Sequence, residues 1–70
     1  MKKIIFIEGM SCGHCVAHVN EALVDLGAKD VEVSLEKKVA TAEMSENITD
    51  DAIKLIIEDA GYEVIEIKLA

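Results

Sequence analysis

Hydrophobic periodicity alternates along these 70 residues between the two-residue repeat of a β-strand and the 3.6-residue repeat of an α-helix. Glycine and polar residues separate the repeats into short segments. Because none of these segments can bury its apolar face alone, they must pack together in layers. The pattern predicts strands at 3–8, 30–36, 39–44 and 63–69, and helices at 14–26 and between Thr49 and Gly61.

The two helical segments carry continuous apolar stripes and recognisable end signals. Gly27 is the expected C′ residue of the first helix. Thr49 is the predicted N-cap of the second helix, where Asp50 and Asp51 complement the positive end, and Gly61 ends it. The stripe of the first helix comprises Cys15, Val16, Val19, Ala22, Leu23 and Leu26, and that of the second comprises Ile53, Ile56, Ile57 and Ala60.

The second and third strands form a hairpin whose connection decides which residues face the core. The polar pair Lys37-Lys38 marks the turn, and a connection with an even number of residues would pair Leu35 with Ala40. It would turn Ala40, Ala42 and Met44 toward the core and Val39, Thr41 and Glu43 outward. An odd number would invert both faces.

The order β-α-β-β-α-β is that of the ferredoxin-like, or split βαβ, fold. We therefore predict an α+β sandwich over residues 1–70, one domain with a four-stranded antiparallel sheet and both helices on one face. This topology brings three connections to the same end of the domain. They are the Gly9–Cys15 loop, the Lys37-Lys38 hairpin and the Gly61-Tyr62 turn.

Charge and composition exclude several classes of function. Fourteen acidic residues oppose seven lysines, and the net charge of −7 disfavours binding to nucleic acids or anionic membranes. No apolar stretch approaches the ~20 residues that span a bilayer, and Glu8 and Gly9 interrupt the only candidate signal segment. We therefore expect a cytoplasmic protein with reduced thiols. No catalytic triad or phosphate loop is present, so we predict no enzyme activity.

The segment Gly-Met-Ser-Cys-Gly-His-Cys at 9–15 carries the candidate site. Cys12 lies in the predicted loop and Cys15 in the first turn of the helix, where the free N–H groups and the helix dipole favour thiolates. Thiolates select soft ions such as Cu(I) and also accept Zn(II). A structural zinc site needs four ligands, which here would require both His14 and His18 in a crowded arrangement. Two-coordinate Cu(I) needs only the two sulfurs.

The motif, within this order of elements, resembles the Gly-Met-Thr/Ser-Cys-x-x-Cys signature of heavy-metal-associated domains, which include copper chaperones and the N-terminal domains of copper-transporting P-type ATPases. The resemblance implies that Cys12 and Cys15 bind Cu(I) and pass it by ligand exchange to a like domain on such an ATPase. It also implies that Met10 packs beneath the loop. His14 and Tyr62 look like the bacterial copper-chaperone branch, and Met10, His14 and Tyr62 are the candidate supporting or auxiliary groups.

Several alternatives stay open at this point. The same cysteine pair would serve a carrier of mercury, zinc, silver or cadmium, or the metal-binding domain of a transport ATPase. Cys-Gly-His-Cys also occurs in thiol-disulfide oxidoreductases, although this chain has no Trp and no Pro, which those domains carry beside the site. Whether two copies share one copper ion as a homodimer is also open. In exchange, we expect Cys12, the loop thiol, to release or capture the metal before Cys15 does.

Overall fold

The computed structural model describes residues 1–70. It contains β1 (Lys2–Glu8), α1 (Gly13–Leu26), β2 (Lys29–Ser34), β3 (Val39–Glu43), α2 (Asp50–Asp59) and β4 (Glu63–Leu69). The strands form one sheet in the order β2-β3-β1-β4, with every neighbouring pair antiparallel. The ferredoxin-like fold predicted from the sequence is confirmed.

The core lies between the sheet and the two helices. Ile5 and Ile7 point from the central strand β1 into this layer, while both neighbours of Ile5 in the sheet also face inward. Each fully buried side chain of this size stabilises the fold by about 1.5–3 kcal/mol. The largest fully buried side chains are Ile5, Ile7, Val19, Leu23, Met44, Ile53 and Ile57.

The helix ends follow the sequence signals. The Thr49 hydroxyl accepts a hydrogen bond from the Ala52 N–H at 3.1 Å, which caps α2 as predicted. Gly27 and Gly61 follow the last residues of the two helices as predicted. The expected burial of Ala60 is wrong: this residue is exposed, because α2 ends at Asp59 and the chain turns away at this point.

The hairpin between β2 and β3 differs from the prediction in its pairing but not in its faces. Ser34 pairs with Val39 and Val33 with Ala40, so Leu35 lies in the turn, 37% exposed, instead of opposite Ala40. β2 therefore ends at Ser34, two residues earlier than expected. The connection 35–38 is still even in length. Ala40, Ala42 and Met44 are accordingly buried, as predicted.

The fourth strand breaks the regular alternation expected for 63–69. Ile7 pairs with Val64, whereas Phe6 pairs with Glu66, so one residue of β4 is left over between these pairs. This β-bulge lets Val64 and Ile67 both lie against the core although they are three residues apart. Ile65, the extra residue, is 58% exposed.

Candidate metal centre

The cysteine pair lies where the loop after β1 enters α1. Cys12 is the N-cap residue of α1 with an extended backbone, and its side chain makes no capping hydrogen bond. Its carbonyl oxygen accepts the N–H groups of Cys15 at 3.1 Å and Val16 at 3.3 Å. No acidic residue stands in the first turn. No nearby carboxylate therefore neutralises the partial positive charge at the N-terminus of α1, and this charge stabilises negative charge on the two sulfurs.

The two Sγ atoms lie 3.6 Å apart, Cys12 exposed and Cys15 half-buried. Both cysteines are free, and a disulfide would need a separation of about 2.05 Å. With metal–sulfur bonds of about 2.3 Å, the observed separation corresponds to an S–metal–S angle of about 100°, and a linear arrangement needs about 4.6 Å. A linear site therefore needs the two sulfurs to move apart by about 1 Å from their positions in this structure.

The surroundings of Cys15 make its thiol acidic. Its pKa is lowered from 9.0 to about 6. The largest cause is a hydrogen bond from the Ser11 backbone, and the second is one from the Tyr62 side chain. Partial burial raises the pKa of Cys15, and hydrogen bonds with Cys12 lower it further. At neutral pH Cys15 is therefore a thiolate, the form that binds metal ions.

Tyr62 reaches the cysteines because of how α2 ends. The N–H of Gly61 donates to Glu58 O at 3.0 Å and that of Tyr62 to Ile57 O at 3.3 Å, the two bonds of a Schellman motif. Gly61 has a φ of 101°, which favours glycine. The motif turns the chain so that the Tyr62 side chain comes close enough to Cys15 to affect its pKa. This contact raises the pKa of Tyr62, with the hydrogen bond to Cys15 as the largest cause.

The backbone of Gly9 lies beside the Tyr62 ring. A Cβ atom at Gly9 would lie 3.4 Å from Tyr62 Cδ1, and the φ of Gly9 is 101°. A side chain at this position would therefore be strained in the backbone, and its Cβ would be in van der Waals contact with the tyrosine ring. Gly13, inside the motif, has no heavy atom within 4 Å of such a Cβ.

The remaining predicted site residues occupy different environments. Met10 is 6% exposed and belongs to the hydrophobic core below the loop. His14 is exposed at the start of α1. The β2–β3 hairpin lies at this end as the topology predicted, since the Ile7 N–H donates to Lys38 O at 2.9 Å.

The structure does not assemble the four-ligand zinc site considered from the sequence. No group of three or more His, Cys, Asp or Glu side chains is arranged to hold a metal ion. His18 instead has its Nδ1 3.3 Å from the Tyr62 hydroxyl. No local sequence pattern predicts this contact, because it joins residues 44 positions apart. The only signal was the position of His18, three residues after Cys15 on the same helix.

Neither helix has the length and apolar character needed to cross a lipid bilayer.

Comparison with known proteins assigns the family. The sequence model of the heavy-metal-associated domain matches residues 4–63. Copper chaperone CopZ of Staphylococcus haemolyticus (strain JCSC1435) is 41% identical over 66 residues, which cover 91% of this chain and 97% of that protein. The solved structure of a CopZ metallochaperone matches with a TM-score of 0.87 and 33% identity, covering 93% of this chain and all (100%) of the other. A copper-binding domain from HMA7, a P-type ATPase, matches with a TM-score of 0.84 and 29% identity, covering 97% and 99%. This chain belongs to the heavy-metal-associated domain family.

Proposed function

We propose that this protein is a cytoplasmic copper chaperone that carries one Cu(I) ion between Cys12 and Cys15. The observation that carries the proposal is the pair of sulfurs 3.6 Å apart at the start of α1, together with a Cys15 pKa of about 6. One thiolate is thereby available at neutral pH without a base to remove its proton. The relative from Staphylococcus haemolyticus, named a copper chaperone, supports the same function.

The donor set favours Cu(I) over other ions. Two thiolates are soft ligands, and Cu(I) accepts a coordination number of two, whereas structural Zn(II) takes four ligands. No third protein ligand is arranged beside the pair. Cu(I) with two thiolates carries a net charge of −1, which the positive end of α1 stabilises.

Transfer of the ion follows from the unequal exposure of the two sulfurs. Cys12 is exposed and lies before the first helical turn, so its Cu–S bond is the one that an incoming thiolate replaces first. The incoming sulfur forms a bond to copper and gives a three-coordinate ion. The Cys12 bond then breaks, which leaves Cys12 as a free thiolate. A second exchange replaces Cys15, and copper remains Cu(I) throughout.

The proposed acceptor is the metal-binding domain of a copper-transporting P-type ATPase. A copper-binding domain of a P-type ATPase matches this chain over 97% of its length, so donor and acceptor would present similar loops. Two like loops facing each other place the incoming thiolates near the ion, and the three-coordinate intermediate has sulfur ligands from both proteins. A homodimer bridged by copper would use the same geometry with a second copy of this chain.

Two alternatives predict different chemistry. A carrier of zinc or of another soft ion would use the same sulfurs but would prefer that ion in direct competition. A thiol-disulfide oxidoreductase would exchange disulfides catalytically and hold no metal tightly. The relatives are named as chaperones and metal-binding domains, which supports the carrier and no catalytic activity.

The test is a competition titration of the reduced protein with Cu(I) against a strong Cu(I) chelator, with Zn(II) in parallel. We expect one equivalent of Cu(I) to be retained by the wild type and lost by Cys12→Ser and by Cys15→Ser. Ser45→Ala is the control, because residue 45 is exposed and follows β3 at the end of the sheet remote from the cysteines. Binding no tighter than that of a free dithiol, or a preference for Zn(II), would overturn the proposal.

A further inference from the structure

Two histidines on the exposed face of α1 form a second set of metal-ligating side chains. His14 and His18 both lie within the helix, and both are exposed. Residues four apart on a helix are neighbours on one face, with their Cβ atoms about 5–6 Å apart. Two imidazoles at this spacing can bind one metal ion together, as the two histidines of helical zinc motifs do. The proposed Cu(I) site uses neither ring.

The contact between His18 and Tyr62 orients one of these rings. The Nδ1 atom of His18 lies 3.3 Å from the Tyr62 hydroxyl oxygen. This contact occupies Nδ1 and leaves Nε2, on the other side of the ring, as the nitrogen available to a metal ion. With the ring proton on Nδ1, His18 donates it to Tyr62 Oη, and the lone pair of Nε2 is free. Metal-binding histidines usually have their second nitrogen held by a hydrogen bond to a neighbouring group in the same way.

The histidine pair and the cysteine pair do not share an ion. No group of three or more His, Cys, Asp or Glu side chains is arranged to hold a metal. Cys15 is half-buried and packs against the hydrophobic core, whereas both histidines are exposed. A metal ion between the two imidazoles would therefore complete its coordination with water.

The charge around the histidine pair favours a cation. The chain carries a net charge of −7, and Glu21 continues the exposed face of α1 one turn after His18. The positive N-terminal end of α1 acts against a cation near His14, by less than about fivefold in affinity. Chelation outweighs this effect, because a second ligand tethered to the first raises the affinity by about a hundredfold.

We infer that His14 and His18 form a second metal site, which binds one divalent ion of borderline softness, such as Cu(II), Ni(II) or Zn(II), between two imidazoles. Imidazole suits these ions, whereas the soft thiolates select Cu(I). Tyr62 is a positioning residue for this site, because it contacts His18 and not the ion. The inference does not rest on the proposed function, since the histidine pair needs no Cu(I) to bind a divalent ion.

The first test titrates Ni(II) into a full-length Cys12→Ser/Cys15→Ser protein by calorimetry, so that no thiolate competes for the ion. We expect one equivalent of Ni(II) to bind, and His14→Gln or His18→Gln to weaken the binding by about a hundredfold. Cys12→Ala/Cys15→Ala is a second thiol-free protein in case the serine variant does not fold. Ni(II) affinity that neither histidine substitution changes would overturn the inference.

The matched control moves one histidine along the helix and keeps the number of histidines. In the thiol-free protein, His18→Gln with Asp25→His leaves two histidines on α1, about 16 Å apart along the helix axis. Asp25 is exposed, so the new ring is as accessible as the one it replaces. We expect this protein to bind Ni(II) as weakly as His18→Gln alone. Binding as tight as that of the thiol-free parent would overturn chelation by the pair.

The second test identifies the nitrogen that binds the ion. In the thiol-free protein loaded with Zn(II), we expect nitrogen NMR to show the metal on Nε2 of His18 and the proton on Nδ1. Tyr62→Phe should weaken Zn(II) binding by about tenfold, because it removes the group that holds Nδ1. Zn(II) on Nδ1, or an affinity that Tyr62→Phe leaves unchanged, would overturn the positioning role of Tyr62. Failure of the wild type to hold Cu(I) would overturn the proposed function alone, since these tests use protein without thiols.

Discussion

The acidity of Cys15 gives the sharpest test of the site, because the side chains that lower its pKa can be removed one at a time. In a Cys12→Ser protein, Cys15 is the only thiol, and the two largest causes of its lowered pKa, the Ser11 backbone and the Tyr62 side chain, remain. We expect the pKa of Cys15 in this variant to lie far below 9.0. Adding Tyr62→Phe should raise the pKa of Cys15 but leave it under 9.0, since the contribution of Ser11 is untouched.

The size of the effect determines which assay can detect it. At pH 7 a thiol with a pKa of about 6 is ~90% thiolate, whereas one at 9.0 is only ~1%. The more acidic thiolate is also less nucleophilic, by about 20-fold over three pKa units. The gain in alkylation rate at pH 7 is therefore only about fourfold. The pH at the midpoint of the thiolate absorbance is the better measure.

The control is the same protein in denaturant, where the midpoint should return to the ordinary value for cysteine. A folded-state midpoint at or above that value would refute the assignment of a thiolate to Cys15 at neutral pH. A midpoint that Tyr62→Phe leaves unchanged would refute the hydrogen bond between the tyrosine and the sulfur.

Three further predictions concern stability, each measured by urea unfolding of the reduced protein. Gly9→Ala should lower the free energy of unfolding by about 1–3 kcal/mol, because the φ of 101° at Gly9 favours glycine. Gly13→Ala should leave the free energy of unfolding unchanged or raise it by up to about 0.5 kcal/mol. Equal effects of the two substitutions would contradict the strain at Gly9. Asp50→Asn should destabilise by about 1–3 kcal/mol and by more than Lys3→Met does, because it removes the charged partner of Lys3. The Lys3 side chain is 10% exposed, and its Nζ lies 2.6 Å from Asp50 Oδ1. The opposite ranking would show that the ion pair itself stabilises the fold. Because the Cys15 pKa is lower in the folded state than the ordinary 9.0, the stabilising contribution of its thiolate is fully present above about pH 9 and is lost as the pH falls through about 6. The difference in unfolding free energy between wild type and Cys15→Ser should therefore shrink over this range, and a constant difference would contradict the lowered pKa.

Much of the fold could be predicted because local signals and tertiary packing agree. Thr49 caps α2 and Gly27 and Gly61 follow the helix ends, since these residues satisfy backbone groups within a few positions of themselves. The inward faces of the helices and of β1 follow from periodicity alone. The position of the cysteine pair at the start of α1 is likewise local, because both residues lie in one short segment.

The errors fall where one strand meets another. The bulge at Ile65 arises from the pairing of β4 with β1, and the early end of β2 arises from its pairing with β3. Neither pairing register is encoded in the strand that shows the irregularity. Ala60 looks like part of an apolar stripe, but its exposure depends on where α2 leaves the sheet.

The sequence by itself determined the order of the elements, the pair of thiols and the helix start that favours thiolates, because each depends on neighbours a few residues away. Only the tertiary structure decided the environment of those thiols. The Schellman turn brings Tyr62 to Cys15, and α1 brings His18 to Tyr62 across 44 residues of chain. A hydrogen bond depends on the positions of two atoms to within a few tenths of an ångström. Hydrophobic periodicity places an element on a face of the fold but cannot place its atoms that closely.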